Sequence, residues 1–107
     1  MTDDVVMVIS TFPDISKARQ IGTVLVERQL AACVNLIPGV ESIYRWQGEV
    51  ETSAEIVAIF KTRSEQAAIL ERELRELHPY EVPEIITVSP QAVSIPYARW
   101  VLEQTQP

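Results

Sequence analysis

The sequence predicts an α+β sandwich of four strands and three helices in the order β-α-β-β-α-β-α, and three observations carry that expectation. Short apolar runs rich in β-branched residues alternate with stretches whose apolar residues recur at helical spacing. Two strand-like arms of unusual length flank a Gln47-Gly48 turn signal. The chain has 107 residues, 47% apolar and 22% charged, with only three glycines and neither a repeat nor a linker. One domain over residues 1–107 accommodates it, since a chain of this size buries roughly 60–65% of its unfolded surface on folding.

The run "DVVMVIST", closed by "FPD", reads as a buried strand entering a turn. Asp14 or Ser16 then caps a helix whose Ile15, Ala18, Ile21, Gly22 and Leu25 form an apolar stripe. Lys17, Arg19, Glu27 and Arg28 supply its polar side, and it ends near Leu30.

Next comes "AACVNLIPGVESIYRWQGEVETSAEIVAIFKT", a single long β-hairpin with arms of about 14 residues. Pro38-Gly39 interrupts the first arm, and because proline donates no ladder hydrogen bond a bulge or bend is expected there. Beyond it Val40, Ser42, Tyr44 and Trp46 share one face, with Glu41, Ile43 and Arg45 on the other. In the return arm Ile56, Ala58 and Phe60 alternate with Glu55, Val57, Ile59 and Lys61.

Ser64 is the expected cap of a second helix, with Ala67, Leu70, Leu74 and Leu77 as its stripe and Glu71–Arg75 as an i,i+4 pair. Pro79 disfavours helix at His78 and stops it. "VPEIITVSP" is a further short strand. "SIPYARWVLEQ" opens with Ser94 and a proline suited to a first helical turn, giving a last helix with Tyr97, Trp100 and Val101 as its apolar members. The order is the split βαβ arrangement of a ferredoxin-like β-α-β-β-α-β sandwich, with a long hairpin and an extra C-terminal helix.

The hairpin is too long for one compact globule. A chain of this length has a diameter of roughly 34 Å, whereas an arm of about 14 strand residues extends up to roughly 45 Å. Its distal part carries Ile43, Tyr44, Trp46 and Val50, which a solvated overhang would not. Such a surface asks for cover, and a second copy of the chain in a closed ring or dimer is the simplest source. The alternative is a bulge at Pro38-Gly39 that folds the hairpin back on its own domain.

Nine Lys and Arg against fifteen Asp and Glu give a net charge of -6. That balance speaks against nucleic acid and anionic membranes as partners, and no basic patch opposes it. The acidic start "MTDDVVMVIS" is unlike a secretory signal, and no apolar run reaches the roughly 18 residues of a membrane span. A cytoplasmic protein is expected. The one cysteine, Cys33, sits in "LAACVNLI", where a small packed hydrophobe is the plain reading.

No phosphate loop, H-E-x-x-H, C-x-x-C pair or nucleophile elbow occurs, so nothing supports an enzyme. Glu41, Glu49 and Glu51 read as a solvated hairpin rim. Two candidates remain. Tyr44, Trp46, Lys61, Tyr80 and Glu84 have the mixed aromatic and charged character of a small-ligand cleft between subunits. The plainer reading, and the favoured one, is of interface anchors with a structural Lys61–Glu84 ion pair. The single histidine, His78, is either a metal ligand or a helix terminus, since an imidazole before Pro79 suits the negative end of a helix dipole.

The segments "LAACVNLIPGVESIYRWQGEVE", "IFKT" and "HPYEVPEII" closely resemble the CutA family of divalent-cation tolerance proteins, with likeness in the same order from about Val5 to about Glu103. The resemblance implies a ferredoxin-like fold, a homotrimer built through long curved strands, and a link to copper and other divalent metals. In architecture alone it extends to trimeric PII signalling proteins, which bind small effectors between subunits. Family members with a proposed copper site carry a cysteine near the end of the first strand and two adjacent histidines before Pro-Tyr; the matching positions here are Ser10, Leu77 and His78. The expectation is therefore a non-enzymatic homotrimer tied to the response to metal ions. It binds copper(II) or another divalent cation weakly through His78 with Glu76, Glu81 or Glu84, and not through Cys33. The alternatives are a PII-like module holding an unknown small ligand and a scaffold for a protein partner.

Overall fold

The computed structural model describes residues 4–107; the first three residues of the acidic N-terminal stretch lie outside the described residues. Seven elements follow in the expected order: β1 (Val5–Phe12), α1 (Ile15–Glu27), β2 (Cys33–Trp46), β3 (Glu49–Arg63), α2 (Ser64–Leu77), β4 (Ile85–Val88) and α3 (Ile95–Gln104). The strands form one sheet in the order β2-β3-β1-β4, and every neighbouring pair is antiparallel. This is the α+β ferredoxin-like sandwich with a long hairpin and an extra terminal helix.

Side chains paired across a sheet point to the same side. One face is thus built from Val8, Ser10 and Phe12 of β1, the Phe60, Ala58 and Ile56 that pair with them, and Val34 and Leu36 of β2. The apolar stripes of α1 and α2 close over it, with Phe12, Leu25, Phe60, Leu70 and Leu74 all fully buried. Asp14 caps α1 by accepting from the Lys17 N–H at 2.8 Å. Helix α1 lies tight on the sheet, because a Cβ on Gly22 would stand 2.9 Å from Val34 Cγ1.

Three local expectations change. Ser64 is the first residue of α2 rather than its cap; the flanking Arg63 instead spends its guanidinium on Leu102 O, Thr105 and Glu65. In α2 the buried members are Gln66, Leu70 and Leu74, while Leu77 is 37% exposed. In α3 the buried residues are Ala98 and Val101, which pack with Val5 and Ala32. Tyr97 and Trp100 lie outward against each other, their rings 5.7 Å apart.

The opposite face of the sheet is covered by α3 only at its Val5 end. The rest of it presents Met7 and Ile9, Val57 and Ile59, Ile37, and Ile86. Ile37 and Ile86 are 45% and 50% exposed.

The hairpin turns at Gln47 and Gly48, whose φ angles of 50° and 82° give the mirror-image turn that matches strand twist; Gly48 takes its angle without steric cost. Between Ile37↔Val57 and Val40↔Glu55 the ladder skips, so Pro38 and Gly39 together oppose Ile56. That bulge has a consequence for facing. Cys33, Asn35 and Ile37 point to the open face before it, and the extra residue moves the even-numbered Val40, Ser42, Tyr44 and Trp46 onto the same side as Glu55, Ser53, Glu51 and Glu49. The molecule is 44 Å long, against 26 and 22 Å in the other directions.

Candidate functional site

Helix α2 stops at Leu77 because Pro79 holds His78 out of the helical region, at φ −69° and ψ 138°. In that extended conformation the imidazole turns inward. It is 8% exposed and stacks on Phe12 with ring centroids 4.5 Å apart. Thr11 O lies 2.8 Å from Nε2, and the Tyr80 backbone N–H points at Nδ1 from 3.0 Å. A carbonyl only accepts and an amide N–H only donates, so the partners fix the ring as neutral with its proton on Nε2. Burial lowers the His78 pKa from its ordinary value, with the Thr11 bond and the Glu55 charge opposing that shift.

This anchoring determines where Tyr80 goes. Its hydroxyl donates to Glu55 Oε2 at 2.6 Å, and its ring tilts against His78 at 5.0 Å. Burial, then the bond to Glu55 and its charge, push the Tyr80 phenol pKa well up. Glu55 itself is only 9% exposed, although it stands in phase with Val57 and Ile59 on the open face of β3.

Tyr80 and the residues after it form one wall of a cleft of about 630 Å³, and the distal hairpin forms the other. Tyr44 and Trp46 supply aromatic surface, Ile43 and Val82 aliphatic surface, and Thr11 and Ser42 hydroxyls. Four carboxylates line it, those of Glu51, Glu55, Glu81 and Glu84, and no lysine, arginine or histidine does.

Of the residues singled out from the sequence, Tyr44, Trp46, Tyr80 and Glu84 are brought to this one cleft. Lys61 is not. It shares the face of Glu55 but lies six residues along β3, about 20 Å away at strand rise, and donates to Asn35 Oδ1 across the ladder. The expected Lys61–Glu84 pairing is therefore absent within the protomer. His78 does not line the cleft; it props the Tyr80 wall from behind. Its assignment as a metal ligand needs revision, because the only ring lone pair already accepts the Tyr80 N–H. Ser10, at the position of a proposed family ligand, is fully buried on the helix-covered face, with no hydrogen-bond partner for Oγ among the described residues. Among the described residues no three His, Cys, Asp or Glu side chains stand together as a metal-holding group. Glu55 is an addition that sequence reading missed, while Glu51, read as a solvated rim, and Glu81, read as a donor beside His78, prove to line the cleft. For Glu55 a signal existed: an acid in phase with apolar strand neighbours.

The CutA1 divalent ion tolerance protein family matches residues 6–104. The chain belongs to that family. It is 41% identical over 96 residues to human Protein CutA, a match covering 90% of this chain and 54% of the human protein. It is 42% identical over 99 residues to the divalent-cation tolerance protein CutA of Thermus thermophilus, covering 92% of this chain and 96% of that protein. The chain thus spans little more than half the length of the human CutA relative and nearly all of the bacterial one. Among solved structures, CutA from Xylella fastidiosa superposes with a TM-score of 0.94 at 40% identity, over 96% of this chain and 99% of that one. The CutA fold and the order of its signature segments thus agree between sequence and coordinates. The Thermus relative is named a divalent-cation tolerance protein, and none of these three names is that of an enzyme.

Proposed function

We propose that this CutA-family chain works as a self-assembling, non-enzymatic divalent-cation tolerance protein, a homotrimer in which neighbouring protomers cover each other's open sheet face. The observation that carries it is that face. Ile37 and Ile86 are about half exposed there, and the hairpin continues that side with Tyr44 and Trp46 at 40% and 45% exposure. Burying apolar area gains roughly 25 cal/mol per Å², so a face of this kind favours association with its own copy. Closure by threes rests on the resemblance to trimeric family members. Light scattering coupled to size exclusion tests it: three times the 12.1 kDa chain is expected at micromolar concentration, and a mass of one chain would overturn it.

For the metal, the reading is weak contact of copper(II) or another divalent cation with carboxylates, His78 remaining a structural residue. Soft-ligand copper sites need donors that this region does not converge. One observation favours a second reading, a PII-like regulatory module that holds a small metabolite: the cleft between the hairpin and the Tyr80–Glu84 segment has the volume and mixed lining of a small-molecule site.

A further inference from the structure

We infer that the cleft between the distal hairpin and the Tyr80–Glu84 segment binds an extended organic polycation, a linear polyamine in chemical class. The inference rests on the reading of that cleft as a small-ligand site and names what the site would take.

Glu55 is the first observation. It is nine-tenths buried, lines the cleft, and receives one hydrogen bond, from Tyr80 to Oε2. Oε1 has no hydrogen-bond donor among the described residues, and no Lys, Arg or His of the described residues forms an ion pair with this carboxylate. Oε1 keeps solvent access into the cleft, where a cation that enters can pair with it.

The rest of the lining fixes the chemistry of that cation. Glu51, Glu81 and Glu84 also lack ion pairs within the protomer, so the lining that one chain supplies is uniformly anionic. Their carboxylates do not gather into a group able to hold one metal ion. Spaced negative charges match ammonium groups separated by methylenes better than a point charge. Between them lie Trp46, Tyr44 and Tyr80, whose rings attract an ammonium through their faces and take methylene stems on the same surface. A hydrated divalent ion uses neither property. A volume of about 630 Å³ accommodates such a chain with water.

Isothermal titration of the whole protein with spermidine, and separately with magnesium, tests this. Spermidine is expected to bind and to weaken with added salt, with magnesium in excess displacing it only slightly. The Glu51→Gln/Glu84→Gln variant removes two exposed charges isosterically and should bind about fivefold or more weakly, as should Trp46→Ala through loss of its ring face. Light scattering on each variant checks that the assembly is unchanged. Absence of spermidine binding, equal displacement by magnesium, or unaltered affinity in both variants would overturn the proposal. Native mass spectrometry separates that failure from failure of the small-ligand reading: an adduct of other chemistry that Trp46→Ala loses would leave the cleft a ligand site, and no adduct at all would end both.

Discussion

The two faces of the one sheet differ in where their contacts come from. On the helix-covered face Val8, Phe12, Phe60, Leu70 and Leu74 are completely buried by the chain itself. On the open face and its hairpin extension Ile37, Tyr44, Trp46 and Ile86 remain 40–50% exposed, and the same side carries a buried acid, Glu55, with one hydrogen bond. The first face needs nothing beyond the chain. The second is incomplete in both apolar and electrostatic terms, so its residues describe what binds there more than what holds the protomer together.

The largest break in that comparison comes on the covered face. Phe60→Ala removes a fully buried ring from the centre of the sheet and should cost about 3–5 kcal/mol, read as a lowered urea midpoint. Loss below about 1 kcal/mol would mean that the core collapses around the gap far more readily than its close packing implies. On the open face, Ile37→Glu places a charge where a neighbouring copy is proposed to sit. It should weaken association by about 2 kcal/mol or more, seen as dissociation on dilution, while the circular dichroism of the chain is retained. An undiminished assembly would move the interface elsewhere.

The contrast also explains how much the sequence disclosed. Element order, the Gln47-Gly48 turn, the Pro38-Gly39 bulge and the stripe of α1 are local, and each follows from a residue type acting within a few positions. Lys61 shows where such reading stops. Alternation assigns it correctly to the face of Glu55, but alternation carries no information about which residues along that face meet a segment returning from 20 positions away. Glu51, Glu81 and Val82 join the cleft for the same tertiary reason, because β4 pairs with β1 and draws the preceding segment past the strand end. Tyr97 and Trp100 invert the ordinary ranking: small Ala98 and Val101 are buried because α3 sits close on Ala32 and Val5.

A smaller effect should appear with pH. The folded state lowers the His78 pKa, chiefly by burial, so below the unfolded value of about 6.5 the unfolded chain takes up a proton that the folded chain resists. The contribution is fully present above that pH and is lost as pH falls from it toward the folded pKa. Urea unfolding between about pH 7.5 and pH 5.5 should show this decline, and His78→Gln, which keeps a donor and an acceptor but does not titrate, should flatten it. Parallel profiles for the two proteins would mean that His78 titrates alike in both states. The exposed Glu71–Arg75 pair, 3.0 Å apart on α2, should matter less still. Glu71→Ala is expected to cost about 0.3–0.5 kcal/mol at low salt and less at high salt, and a loss above about 1 kcal/mol would reveal a role beyond the pair.

The last expected effect is none at all, and it sharpens the separation between the prop and the cleft. A transition metal binds imidazole through a nitrogen lone pair, and His78 has a single one, on Nδ1, which already accepts the Tyr80 N–H. Nε2 carries the proton given to Thr11 O. Binding copper(II) at Nδ1 would cost the Tyr80 contact and leave a part-buried amide unpaired, and that amide sits in the segment forming the cleft wall. Copper titration followed by calorimetry should therefore be the same for wild type and His78→Ala, with oxygen coordination in both by electron paramagnetic resonance. A nitrogen signal present in wild type and absent from the variant would show that the ring releases Tyr80 to take the metal. The wall of the cleft would then move with copper, and the two sides of the sheet would be linked through this one residue.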